Sequence, residues 1–279
     1  MIDTDTLDPD VKLYHKITAA EAAEFERIIA TEFPDLEVTM IGDLKGGVRK
    51  TTATMHIAFA LARKYPDEMV LVGDCDQFGS ATSWMNKAKR RADRLKADWE
   101  AREQAERPGA ERHWPGNPWP KNLHVVRAEG ADLHNTLLKA CRKYRPVRLL
   151  LDTPPNDRPA LRRALMLARV LVLTSGPGEM DIERIRPTLD LAKELKALRR
   201  GRGYRFKVLL TGCKIGTRTF KKAREHLENQ QIGVFSNPVR DLQGHMSNAG
   251  TVPSDLYDYD LQILELQRMH GHETEEITV

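Results

Sequence analysis

Cysteine is scarce in this 279-residue chain, and Cys75, Cys141 and Cys213 stand far apart with no Cys-x-x-Cys pair. That spacing supplies neither a disulfide framework nor a thiolate zinc site, and it fits a reducing cytoplasm. No Cys/His cluster surrounds His113, which reads as a loop residue rather than a metal ligand. No uninterrupted apolar run is long enough to span a bilayer. The N-terminus, Met1-Ile2-Asp3-Thr4-Asp5, is acidic and lacks an apolar core, so it does not read as a secretory signal. No internal repeat is found. A strong excess of either charge is missing too: 44 Lys and Arg against 40 Asp and Glu leave a net charge of +4. Such a mild excess is compatible with nucleic-acid binding without requiring it. What remains is 41% hydrophobic and 30% charged, the balance of a soluble globular protein. The length suits one large α/β domain or two small ones.

The most informative stretch is Lys45-Gly46-Gly47-Val48-Arg49-Lys50-Thr51-Thr52. It follows the short β-rich run Val38-Thr39-Met40-Ile41 and opens an apolar segment, Ala53 to Ala62, with helical periodicity. A strand, a glycine turn and a helix in that order make a phosphate cradle. Backbone N–H groups point into such a loop, and the helix N-terminus adds partial positive charge. Lys50 can reach β- and γ-phosphate oxygens, and the Thr51 hydroxyl is placed to ligate Mg²⁺. A plain glycine turn before a helix is the competing account, and the Gly-Gly-x-x-Lys-Thr spacing between strand and helix disfavours it.

Two more apolar runs end in acids. Met69-Val70-Leu71-Val72-Gly73 leads into Asp74-Cys75-Asp76-Gln77-Phe78-Gly79-Ser80. Carboxylates at the C-terminal edge of a parallel strand lie where α/β sheets bind ligands. Asp74 and Asp76 are two apart, so an extended strand would put them on one face. Val147-Arg148-Leu149-Leu150-Leu151 ends in Asp152, followed by Thr153-Pro154-Pro155. An acid so placed, beside the phosphate loop, holds Mg²⁺ through water.

Together these segments resemble the ParA/MinD family of ATPases. The first matches its deviant Walker A box, Lys-Gly-Gly-x-Gly-Lys-Thr. The resemblance implies that Lys45 is the signature lysine, which in that family crosses an ATP-sandwiched dimer to touch the partner's nucleotide. It also implies that Lys50 is the phosphate-loop lysine, with Gly46, Gly47, Val48, Arg49, Thr51 and Thr52 completing the box. Arg49 replaces the family's glycine; its guanidinium can still donate to phosphate. The second segment resembles Asp-x-Asp-Pro-Gln-Gly, with Gln77-Phe78 in place of Pro-Gln. It implies that Asp76 orients the attacking water and that Asp74 lies near Mg²⁺. Asp152-Thr153-Pro154-Pro155 closely matches the family's third box. A late family loop helps hold adenine, which nominates Pro238 with Cys213 or Lys214.

Strands alternating with helices predict an α/β fold, a P-loop NTPase with a mostly parallel sheet and helices on both faces. The ATPase domain is expected over residues 36–279, after a helical extension at 1–35. In that extension Ala19 to Thr31 reads as a helix capped by Thr18, with Ala22, Phe25, Ile28 and Ile29 facing the core. Lys87 to Glu106 mixes both charges and reads as a solvated helix, although Lys87-Ala88-Lys89-Arg90-Arg91 keeps a nucleic-acid contact in play. Trp114 and Trp119, in a Pro/Gly-rich loop, are expected to cover the domain surface. Strands are also expected at 123–127, 170–174, 206–211 and 232–235. Further helices are expected at 133–144, 179–200 (kinked or divided at Pro187) and 256–269. Near Gly216 a basic helix carries Arg218, Lys221, Lys222 and Arg224; the first three share a face by their i, i+3, i+4 spacing.

The resemblance implies a DNA partition ATPase using ATP and Mg²⁺. It would form a homodimer on ATP, bind DNA without sequence preference from the nucleoid-associated cytoplasm, and hydrolyse slowly until a ParB-like partner stimulates it. A MinD-like membrane positioner would need a basic amphipathic C-terminal helix, whereas the tail from His272 to Glu276 is acidic. A reductase like the nitrogenase iron protein would need paired cysteines. A MinD-like positioning ATPase for another cargo and a nucleotide-binding regulator with little turnover are the remaining alternatives.

Overall fold

The apolar runs become strands covered on both faces. The computed structural model describes residues 19–107, 114–198, 203–241 and 249–272. Thr18, His113 and the tail from Glu273 onward lie outside the described residues. Among them are seven strands: β1 (Glu37–Ile41), β2 (Val70–Asp74), β3 (Leu123–Arg127), β4 (Arg148–Asp152), β5 (Val170–Ser175), β6 (Arg205–Cys213) and β7 (Val239–Arg240). Their order is β3-β2-β4-β1-β5-β6-β7, and every neighbouring pair is parallel. The sheet is therefore parallel throughout, and all strands end on one edge.

Alternation along each strand sends side chains to two cores. Val38, Met40, Leu149, Leu151, Leu171 and Leu173 face one of them. Here lie α1 (Ala19–Glu32), α4 (Leu133–Tyr144), α5 (Arg158–Leu167), α7 (Arg186–Leu198) and α8 (Arg218–Asn229), through residues such as Phe25, Leu137, Leu161, Leu191 and Leu227. Ile41, Val70, Val72, Leu150, Val170 and Val172 face the other. That side is covered by α2 (Lys50–Lys64), the first turns of α3 (Ser80–Glu106) and α9 (Ile263–His270). With both faces buried, the strands read as continuous apolar runs rather than alternating ones. α2 is buried without interruption from Ala53 to Ala62, as a helix pressed against the centre of a sheet must be.

Helix α1 docks Phe25 and Ile29 into the first core, and Arg142 grips Glu32 with both guanidinium arms at 2.7 and 2.8 Å. Pro187 falls in the first turn of α7 and separates it from the short α6 (Glu179–Glu183), so the segment is divided. Trp119 donates to the Leu123 carbonyl at 2.7 Å and packs edge-on to Phe59, covering the second core.

Four local expectations need correction. Helix α3 begins at Ser80, because left-handed Gly79 lets the chain turn directly from the β2 loop into the helix. Only Ala81, Trp84 and Ala88 of its 27 residues are buried, so the mixed-charge remainder is solvated. No helix is expected from the sequence at α5, whose Asp157 side chain accepts from Ala160 N–H at 2.8 Å with Pro159 in the first turn. Residues 232–235 contribute only a bridge from Val234 to Val208; the last strand is β7, directly after Pro238. A proline has no N–H for a ladder and is at home where a strand begins. The closing helix starts as a 3₁₀ segment, Tyr257–Gln262, before α9. Among the described residues, no helix is long and apolar enough to cross a membrane.

Candidate nucleotide site

The C-terminal edge of the sheet gathers the predicted residues. β1 runs out at Ile41, the chain loops through Gly42–Arg49, and α2 begins at Lys50. Gly47 has φ 77° and Arg49 φ 59°, both left-handed. For Gly47 this conformation is free; for Arg49 it costs about 1–2 kcal/mol. Lys50 is buried, and its ammonium donates to the Lys45 carbonyl, arching back over the loop. Burial pulls its pKa down, while Asp43, Asp152 and Asp76 pull it up.

β2 and β4 are neighbours in register, so Asp74 and Asp152 end side by side. The Thr51 hydroxyl donates to Asp152 Oδ2 at 2.8 Å, and Thr54 donates to Oδ1 at 3.1 Å. Burial raises the Asp152 pKa to about 7, and the Asp74 charge adds to the rise against those hydrogen bonds and Lys50. Burial also raises Asp74, whose Oδ2 accepts the Thr82 N–H at 2.7 Å. Two buried carboxylates held above their usual range favour a cation between them. The donors are all hard oxygens, and among the described residues no cluster of three or more His, Cys, Asp or Glu forms an all-protein cage. That donor set fits Mg²⁺, which keeps its waters and takes one or two carboxylates plus phosphate oxygens. Thr51, Asp152 and Asp74 would hold it.

Asp76 is reached differently from the strand-face expectation. β2 ends at Asp74, and Asp76 sits in the following turn. Its carboxylate accepts from Phe78 N–H at 2.9 Å and from the Ser80 hydroxyl at 3.0 Å. The turn, not the pleat, brings it beside Lys50.

Two cations flank the loop, each engaged within the chain. Lys45 pairs with Asp181 on α6. Arg49 leaves the loop: its guanidinium donates to Asp241 Oδ1 at 2.7 Å, so only its backbone remains where the sequence reading had it meeting phosphate. Cys213 is buried at the end of β6, its thiol pushed up to about 12 by burial. Lys214 beside it is exposed, and Pro238 precedes β7, which pairs with β6. The adenine candidates therefore share one end of the sheet with the Arg49 guanidinium.

Sequence reasoning missed Asp43 and Asp241. Asp43 is buried after β1; its Oδ1 accepts from the Thr188 hydroxyl at 2.5 Å and Leu44 N–H at 2.7 Å, and its Oδ2 has no hydrogen-bond partner. An acid two residues past the central strand was the available signal. On α8, Arg218, Lys221 and Lys222 are exposed, whereas Arg224 is held by Glu228 at 2.8 Å and the Ser236 carbonyl at 3.2 Å.

A comparison with family profiles matches residues 39–262 to the CobQ/CobB/MinD/ParA nucleotide-binding domain. No curated protein matches the chain. Among solved structures it is similar to an ATP complex of McdA from Cyanothece (TM-score 0.60, 16% identity, covering 86% of this chain and 98% of that one). It is also similar to cobyrinic acid a,c-diamide synthase from Mycobacterium smegmatis with ADP and magnesium (0.58, 16%, 88% and 100%). A ParA family ATPase from Chlorobium tepidum is a third (0.55, 16%, 82% and 98%). At these identities the structural likeness speaks for the fold, and the profile match, spanning the phosphate loop and every carboxylate of the site, speaks for the family. The chain belongs to the CobQ/CobB/MinD/ParA family of nucleotide-binding domains.

Proposed function

We propose that this protein is a ParA-like partition ATPase that binds ATP with Mg²⁺, dimerises on it and holds DNA without sequence preference. The observation that carries the nucleotide reading is the Thr51–Asp152 hydrogen bond at the head of α2, beneath a buried Lys50. Mg²⁺ held by Thr51, Asp74 and Asp152 would supply neutralisation of phosphate charge. Lys50 adds its own charge, and loop N–H groups fix the phosphates. Asp76, already oriented by Phe78 and Ser80, accepts a hydrogen bond from the attacking water and aligns it. Lys45, freed from Asp181, reaches the nucleotide of a second copy. Gly46, Gly47, Val48 and Thr52 line the cradle, and Cys213, Lys214 and Pro238 border the base. Residues 1–35 are an extension whose helix shares the core of the ATPase domain.

Arg218, Lys221 and Lys222 supply the DNA contacts; Arg224, held by Glu228, serves less directly. Phosphate contacts carry no sequence information. The protein then acts in the nucleoid-associated cytoplasm, and a ParB-like partner accelerates hydrolysis. A nucleotide regulator with little turnover is the second reading, favoured by the engagement of both flanking cations inside one chain. ATP hydrolysis measured with and without DNA and the product of the adjacent gene separates them. Stimulation supports the partition ATPase; a flat, near-zero rate supports the regulator. Lys221→Glu/Lys222→Glu is expected to keep ATP binding, lose DNA retention at moderate salt and flatten the salt dependence by about two phosphate contacts. Unchanged retention would move the contact to Lys87–Arg91.

A further inference from the structure

The phosphate loop contains an arginine in a conformation that suits glycine, and Gly212 and Asp241 accommodate its side chain. Arg49 has φ 59° and ψ 31° at the residue before Lys50. Its side chain crosses to the far side of the site and pairs with Asp241, 192 residues away, at 2.7 Å. The guanidinium lies on Gly212, where a Cβ would overlap Nη1 and where the backbone is itself left-handed at φ 69°. No other residue type leaves that space with that backbone. Asp241 is anchored in turn, its N–H donating to the Cys213 carbonyl at 3.0 Å. A second tie joins the same parts: the Thr211 hydroxyl donates to the Val48 carbonyl at 3.4 Å. Strained backbone, glycine seat and anchored carboxylate are three separate features serving one contact.

We propose that Asp241 is a positioning residue of the nucleotide site. By holding the Arg49 guanidinium over Gly212, it fixes the left-handed turn that aims the loop N–H groups and Lys50 at phosphate. Where glycine occupies this position the turn needs no help; here it is held by an ion pair across the mouth of the site. A strained residue persists only when its surroundings over-determine it, and Gly212 with Asp241 provides that determination. The ligand, a nucleoside triphosphate, rests on the reading in the preceding subsection; the fixing of the loop does not.

The test is a double-mutant cycle over Arg49→Gly and Asp241→Asn. Two quantities are measured on each protein: Mg²⁺–ATP affinity by titration calorimetry, and backbone hydrogen exchange across residues 45–51 without nucleotide. In the Arg49 protein, Asp241→Asn is expected to weaken ATP binding about tenfold and to speed loop exchange. In the Arg49→Gly background the same change should alter either quantity less than about twofold, because nothing remains for Asp241 to hold. Asp241→Glu, which keeps the charge, should recover part of the loss. Circular-dichroism melting identifies any variant that fails to fold; the Asp241→Glu comparison then carries the test. Equal effects in both backgrounds, or no effect in either, would overturn the proposal. So would tighter ATP binding on breaking the pair, which would make the pair a plug. If the unmutated protein binds no ATP while loop exchange still shows the coupling, the nucleotide assignment fails and the positioning of the loop stands.

Discussion

The two edges of the sheet treat their buried charged groups in opposite ways. At the N-terminal edge charges are matched with charges. Arg148 is buried between Glu37, at 3.2 Å, and Glu68, with its guanidinium over the Tyr65 ring. Nearby, His272 meets Glu37 and Lys207 meets Glu265, while His270, its pKa held low by burial, meets the neutral Thr39 hydroxyl at 2.7 Å. At the C-terminal edge Asp43, Asp74 and Asp152 lie buried together, satisfied mostly by hydroxyls and backbone N–H groups, with Lys50 turned to a carbonyl. Burial raises all three carboxylates. One edge is complete without a ligand; the other stores electrostatic demand that a cation and an anionic ligand would meet. Burial alone thus does not distinguish structural charge from functional charge. What the charge is paired with does.

Substitutions should separate the edges cleanly. The largest effect is expected at Asp76: Asp76→Ala should keep ATP binding and lower turnover on the order of 100-fold or more, whereas Lys50→Ala should lose nucleotide binding itself. Calorimetry beside a phosphate-release assay reads both, and wild-type turnover in Asp76→Ala would remove it from the water-orienting role. Lys45→Ala comes next: it should abolish the ATP-dependent dimer seen by light scattering while leaving the monomer folded, and a persisting dimer would refute the cross-site role. At the opposite edge Arg148→Ala should lower stability by about 3 kcal/mol, because the half-buried Glu37 loses its guanidinium partner and keeps only His272. Its ATPase rate per folded molecule should be unchanged; a matching loss of rate would erase the distinction between the edges. The smallest effect concerns pH. Burial pulls His270 down to about 4, against Glu37 and with His272, Arg148 and Arg205. The unfolded chain then takes up a proton near pH 6.5 that the folded chain refuses. This contribution is complete above pH 6.5 and is lost as pH falls toward 4, about 2 kcal/mol between pH 6.5 and 5. Melting curves of His270→Asn should show a flatter acid limb.

The site was legible where its signals were local. Gly46-Gly47 between a β-rich run and an apolar helix placed the phosphate loop, and an acid after Leu149-Leu150-Leu151 placed Asp152, because strand, turn and helix each leave a periodic mark. Helix α5 also leaves a mark in Asp157-Arg158-Pro159, an N-cap followed by proline. Asp76 was assigned to a strand face because spacing of two is the mark of a strand, yet the strand stops at Asp74. The Arg49–Asp241 contact had no such mark: nothing in residues 45–52 points to a partner 192 positions on. Long-range pairing is a property of the fold, and the sequence shows only its two ends.

The central position of β1 bears on how the protein is made. β1 pairs with β4 on one side and β5 on the other, so its hydrogen-bonding partners at residues 148–152 and 170–172 are translated long after it. At ordinary rates of synthesis, roughly 5–20 residues per second, several seconds or more separate Ile41 from Val172 at the ribosome. Until Arg148–Asp152 is made, the apolar run feeding the phosphate loop has no neighbouring strand on either side, and until Val172 it has one on one side only. Sequence-distant pairing of this kind slows folding and leaves edges open to wrong partners. The loop, translated early, has its ion-pair partner Asp241 made late.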